Sequence, residues 1–219
     1  MATIAFPISL ATFFSPLAVA EAVFDLSEAM SATETGGGEI LRASYGPRLW
    51  QGRVTVRANT YLDLDRLVAR AELLRQPGAS FFVHPSHRRG PQADPTGATL
   101  GSASPTVTGV AANNREITLA GLPGSYVLTE GDFLSFTYLS NPTRYALHRV
   151  METRTATGGG GISNMEVSPV IRPGATWPRA LTLVQPFCKA VIVPDSFDAP
   201  VTTHGSRAFF SFAWRQTLR

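Results

Sequence analysis

Between Leu49 and Arg57 the chain alternates, with Leu49, Gln51, Arg53, Thr55 and Arg57 on one side and Trp50, Val54 and Val56 on the other. A period of two sends successive side chains to opposite faces of a strand, so this run predicts a half-buried β-strand. The same period returns near the C-terminus, where Ala208, Phe210, Phe212 and Trp214 alternate with Phe209, Ser211, Ala213 and Arg215. Both sets are largely apolar or small, which suits a strand covered on both faces. The segment "ASFFVHP", residues 79–85, reads as another buried strand, and "TETGGGE", residues 33–39, as a turn or loop.

Only one stretch has a helical period. Leu64, Leu67, Val68, Ala71 and Leu74 recur at the three, four and seven spacing that lines one face of a helix. Asn59 or Thr60 supplies the N-cap, Asp63 and Asp65 sit where the helix dipole favours negative charge, and Gln76-Pro77-Gly78 ends the element. From residue 99 to 180 the pattern is all short strands: "PTVTGVA", "EITLAGL", "PGSYVLTEGDFLSFTY", "TRYALHRVMETRTA" and "ISNMEVSPVI", separated by Gly, Pro and Asn. That punctuation predicts a small antiparallel barrel or sandwich. Gly158–Gly161 falls between two strands with no helix after it, so it predicts a hairpin turn rather than a phosphate cradle. Two further strands, "ALTLVQPF" and "CKAVIVPD", precede the C-terminal one.

The first twenty residues form an apolar run ending in Ala18-Val19-Ala20, the outline of a secretory leader. No Lys or Arg occurs before Arg42, and Pro7 and Pro16 interrupt the run. It is therefore expected to belong to the fold, with Val19, Val23 and Leu26 placed to join a sheet. It is too short and too broken to span a membrane.

Composition sharpens this reading. Hydrophobic residues make up 44% of the 219 and charged residues only 16%, against about 25% charged in a typical soluble domain. A surface so poor in charge suggests cover by a partner subunit. The net charge of +3 is too weak to argue for specific nucleic-acid binding. Every basic residue except Lys189 is arginine, which fits either a GC-rich coding bias or a need for forked interface contacts. Cys188 stands alone, so neither an internal disulfide nor a cysteine zinc cluster is available.

Catalytic chemistry finds little to work with. In "SFFVHPSHRRGPQADPTG", residues 80–97, His84 and His87 are three apart with Pro85 between them, which disfavours the helix that would bring both imidazoles together. Arg88 and Arg89 lack the glycine-rich phosphate pattern beside them. An exposed interdomain or interface loop is the reading. His148 lies in a predicted strand, no Gly-x-Ser-x-Gly elbow anchors a triad, and Asp195 with Asp198 is weak ground for glycoside chemistry. No metal, cofactor or enzymatic activity is expected.

The order of parts resembles the distal tail proteins of long-tailed bacteriophages and gene transfer agents. The features are "LWQGRVTV" leading into a capped helix with a Pro-Gly stop, then "ASFFVHP", "ITLAGLPGSYVLTEGDFLSF", "RYALHRVMET" with Tyr145, and "MEVSPVIRP" after the glycine turn. They span about residues 45–190; where relatives often carry Gly-Asp-Pro, this chain has Val83-His84-Pro85. The resemblance implies a mainly β fold: a tail-tube-like β-sandwich with one packed helix, plus an inserted small antiparallel β-barrel or sandwich. Mapped here, residues 1–88 and 181–219 would form the ring domain and 90–180 the insertion. It also implies a structural virion protein at the tail tip, assembled in the host cytoplasm. Copies would close into a homo-hexameric ring that meets the tail tube protein, the baseplate hub protein and the tape measure protein. Candidate subunit-interface residues are Arg88, Arg89, Phe210, Phe212 and Trp214. The alternatives are a carbohydrate-binding β module, which would need Trp50, Trp177 and Trp214 on one exposed face, and a hydrolase.

Overall fold

Strands from the two ends of the chain meet in one sheet, and the strands between them close a barrel. A computed structural model describes residues 4–58, 60–139, 141–200 and 208–219. In chain order its elements are β1 (Val19–Leu26), β2 (Met30–Glu34), β3 (Ile40–Ser44), β4 (Trp50–Ala58), the helix α1 (Tyr61–Leu74) and β5 (Phe81–Val83). Then come β6 (Thr106–Val110), β7 (Glu116–Ala120), β8 (Val127–Leu128), β9 (Phe133–Tyr138), β10 (Arg144–Val150), β11 (Arg154–Thr155) and β12 (Ile162–Ser168). Last are β13 (Arg179–Thr182), β14 (Cys188–Ile192) and β15 (Ala208–Gln216). The chain is mainly β with one packed helix and a small closed antiparallel barrel, the class that its alternation predicts.

The sheet has the order β1-β4-β15-β14-β5, with β15 at its centre. Phe212 is opposite Val54 and Phe210 opposite Val56 across the β15–β4 ladder, so the apolar sets of both strands share one face. That face is covered by α1 and by the N-terminal segment. Leu64, Ala71 and Leu74 of the helix are buried, and the Phe13 ring stands edge-on to Phe81 at 5.2 Å and tilted against Phe212 at 6.1 Å. The apolar run at the N-terminus thus packs inside the fold, with Ile8, Phe13, Phe14 and Leu17 all buried. Each such side chain contributes roughly 1.5–3 kcal/mol on burial. The helix begins where its cap predicts: Thr60 Oγ1 accepts from the Asp63 amide at 3.1 Å. Asn59 lies outside the described residues.

One glycine in this sheet is fixed by close approach. A Cβ at Gly52 would run into the Val23 carbonyl oxygen and the Trp214 indole. Only a bare Cα lets β1, β4 and the large Trp214 ring meet there.

The barrel runs β10-β12-β7-β6-β13-β9 and closes through β9 and β10. Its last strand crosses the boundary expected at residue 181. Leu181 and Thr182 pair with Phe136 and Ser135, and Leu181 and Leu183 belong to the barrel's own core. The barrel therefore extends to about residue 183, because its closure needs β13 whole. Along β9, Leu134, Phe136 and Tyr138 pack in that core, while Phe133, with Leu147 of β10, reaches the core of the sheet. The period of two thus divides β9 and β10 between two hydrophobic clusters.

Candidate functional site

The histidine-arginine loop, residues 84–97, is where the two halves are tied. The loop is only partly exposed, against expectation: strand β5 delivers His84 into a buried position, edge-on to Phe14 at 5.5 Å, with Nδ1 3.1 Å from the Pro85 carbonyl, and Asp94 is buried too. Burial pulls its pKa below the usual histidine value, the Pro85 contact opposes that, and the Arg89 charge adds to it. His87 is exposed and its ring faces Phe133 at 6.2 Å. The two imidazoles therefore have different surroundings. Among the described residues no group of three or more His, Cys, Asp or Glu side chains could hold a metal.

Arg88 turns inward. Its Nη1 donates to Asp132 Oδ1 at 3.1 Å, and the Asp132 side chain is fully buried. The same carboxylate accepts from the amides of Gln92 at 2.9 Å and Thr129 at 2.8 Å. Asp132 thus gathers the loop and the start of β9 onto one group, charge-assisted at every bond. A few residues on, Asp94 repeats the device: its carboxylate accepts from the amides of Thr99 and Leu100 and from the Tyr126 hydroxyl. Burial would raise the Asp94 pKa, but these hydrogen bonds outweigh it and hold the carboxyl below its ordinary value. Arg89 stays exposed, and its carbonyl accepts from the Gln185 amide at 2.6 Å.

The aromatic interface expected on β15 needs correction. Phe210, Phe212 and Trp214 are buried in this chain's own core, against α1, the N-terminal segment and β4. The opposite face of β15 carries Phe209, which is exposed, and Arg215. Arg88 is likewise engaged within the chain. Of the five expected interface residues only Arg89 presents its side chain freely to the surface.

A seam of aromatic and polar contacts joins sheet to barrel. The Trp50 indole N–H donates to the Leu147 carbonyl at 2.7 Å, and Gln216 bridges the Trp50 amide and the Tyr145 carbonyl, each at 3.2 Å. The Arg149 guanidinium lies 5.4 Å from the Trp50 ring and 4.8 Å from that of Phe133. Trp50 and Trp214 are spent in packing, and Trp177 stands edge-on to Phe136 and half-buried. The three tryptophans share no exposed face, so the glycan-platform arrangement is not formed.

The chain's unpartnered features lie at its periphery. Among the described residues, strands β2 and β3 pair only with each other, in register Met30–Ser44 to Glu34–Ile40. They form an arm exposed on nearly every residue, including Ile40, Leu41 and Tyr45. The turn at its tip is closed by hydrogen bonds between Thr35 and Glu39. A cleft of about 490 Å³ opens beside the arm's base, lined by Arg48, Arg115, Glu166 and Arg172 among others. A second, of about 350 Å³, lies between α1 and the end of β4, lined by Arg57, Arg66 and Arg70. Strand β1 is an edge of the five-stranded sheet. Asp195 is exposed, while Asp198 pairs with Arg53 and the Ser211 hydroxyl on the outer face.

No protein-family model matches the chain, and no curated protein matches it.

Proposed function

We propose that this chain is a structural subunit of a homo-oligomeric ring, of the distal-tail type, joining a phage-like tail tube to the baseplate hub. The observation that carries the reading is the β2–β3 arm. A lone two-stranded hairpin is marginal in water, and this one sets Ile40, Leu41 and Tyr45 in solvent. Docking on a neighbour would bury those side chains and stabilise the arm. The edge of β1, unpaired among the described residues, is a second surface that calls for cover, since unpaired edges recruit strands. One repeated heterologous contact using both features closes into a ring. Six-fold symmetry, a place at the tail tip and contact with tube, hub and tape measure proteins come from the family resemblance.

The experiment is negative-stain microscopy of the purified chain and of the particle that carries it. Rings of identical copies at one end of a tube are expected. Isolated monomers, in solution and in the particle, without tube contact would sink the reading.

A further inference from the structure

We propose that the acidic tip of the β2–β3 arm of one copy docks into the arginine cleft between α1 and β4 of the next copy. The inference rests on the ring reading and names the contact that would build it.

Charge along this chain is segregated. The first 41 residues hold Glu21, Asp25, Glu28, Glu34 and Glu39 and no Lys or Arg. Glu34 and Glu39 flank the turn at the tip of the arm, both exposed. Arg42 is the arm's one basic residue, further down β3 and opposite Ala32.

The cleft is the opposite case. Arg57 reaches it from β4, and Arg66 and Arg70 from α1, around a volume of about 350 Å³. Its one lining carboxylate, Asp63, accepts from the Thr60 hydroxyl at 2.7 Å. Arg70 donates to the Thr12 carbonyl at 2.6 Å. Among the described residues, the side chains of Arg57 and Arg66 have no acceptor. Gathered guanidiniums repel one another, and their forked donors suit carboxylates.

Position decides which carboxylates. Strands β1 and β4 form one ladder from Val19–Val56 to Leu26–Trp50. The arm is rooted at the Leu26–Trp50 end of that ladder, where β2 follows β1 and β3 precedes β4, whereas the cleft lies at its other end, beside Ala18 and Arg57. Eight residues of strand separate the two, roughly 26 Å. The arm is thus rooted at the end of the ladder remote from its own chain's cleft. Head and tail are complementary on different ends of one body, the arrangement a heterologous interface requires. The apolar residues behind the tip, Ile40 and Leu41, would pack beside Leu67 and Pro16 in the cleft wall.

The test compares the full-length chain with Glu34→Arg/Glu39→Arg, with Arg66→Glu, and with all three changes combined, by mass photometry across a salt series. All three residues are exposed, so folding should survive; circular dichroism checks it. Wild type should assemble, more weakly at high salt. Each reversal should weaken assembly about tenfold or more, and the combined variant should recover much of the loss. In a parallel arm, Glu39→Cys chains mixed with Arg66→Cys chains and a short bismaleimide should give cross-linked dimers only when both are present; Cys188 is buried and silent. Assembly of wild type without effect of reversal or cross-link overturns the docking and leaves the ring reading standing. A wild type that stays monomeric at every salt concentration overturns the docking, and with isolated monomers in the particle as well the ring reading falls too. Arg66→Glu lowering retention of a double-stranded DNA probe, with assembly unchanged, would reassign the cleft to a polyanion and overturn the docking.

Discussion

Arg88 and Asp132, 44 residues apart in sequence, form an ion pair at 3.1 Å in which the carboxylate is wholly buried and the guanidinium partly exposed. The two partners are unequal. Removing Asp132 also strips acceptors from the Gln92 and Thr129 amides, whereas removing Arg88 leaves the carboxylate with both. Asp132→Ala is expected to cost about 3 kcal/mol or more, and Arg88→Ala roughly 1–2 kcal/mol. Urea denaturation of both variants measures this. Equal losses would show that Asp132 is not the hub.

Trp50 and Trp214 both touch Phe24, and both are buried, yet only one indole N–H is bonded. Trp50 Nε1 donates to Leu147 across the seam, while Trp214 Nε1 has no acceptor among the described residues. Trp50→Phe should therefore destabilise more than Trp214→Phe, by about 1–2 kcal/mol, because it orphans a buried carbonyl. Trp214→Ala, by contrast, opens a cavity in the core at a cost of about 3–5 kcal/mol and reports on folding rather than on assembly.

His148 makes stability depend on pH. It lies inside the barrel, stacked on Phe136 at 5.5 Å, with Nδ1 2.8 Å from the Pro169 carbonyl. Burial, chiefly, brings its pKa down to about 4, the Pro169 contact opposes this, and the Arg172 charge lowers it further. The unfolded chain, titrating near 6.5, binds the proton first, so acidification favours unfolding. The loss should begin as pH falls through about 6.5 and level off below about 4, approaching about 3 kcal/mol from this residue. His84, also shifted downward, acts in the same direction. Urea midpoints between pH 7 and 4 should fall less steeply in His148→Phe than in wild type.

Gly52→Ala forces a methyl into the Val23 carbonyl and the Trp214 ring. About 2–3 kcal/mol of stability should be lost, with faster hydrogen exchange at β1 amides than elsewhere in the sheet. Uniform acceleration across sheet and barrel would contradict a local separation of β1 from β4.

Much of the fold was legible because its signals are local. The helix announces itself through Thr60, Asp63 and the Leu64–Leu74 stripe, and β4 and β15 through their alternation. Alternation tells which side chains share a face, but not what covers it. The pattern therefore offers Phe210, Phe212 and Trp214 as a surface for a neighbour, whereas α1 and residues 8–17 already cover them. Asp132 was invisible as a hub because Gly131-Asp132 looks like ordinary turn chemistry and its partner Arg88 is remote. Of the arm, the sequence pattern marks only the glycine-rich tip: β2 and β3 carry no apolar face, since neither side rests on this chain's core. Arg57 joins Arg66 and Arg70 only after β4 and α1 pack together.

The central strand of the sheet is the last of its five in chain order. Every barrel strand lies between Thr106 and Thr182, so a chain emerging from the ribosome can complete the barrel while β1–β4 and β5–β14 are still two separate pairs. Insertion of β15 then zips them into one sheet and seals Phe212 beneath Phe13. Until that moment the arm springs from a two-stranded pair instead of a finished sheet. In the ring proposed above, assembly would therefore wait until Gln216 has left the ribosome, which would keep half-made neighbours on one messenger from joining.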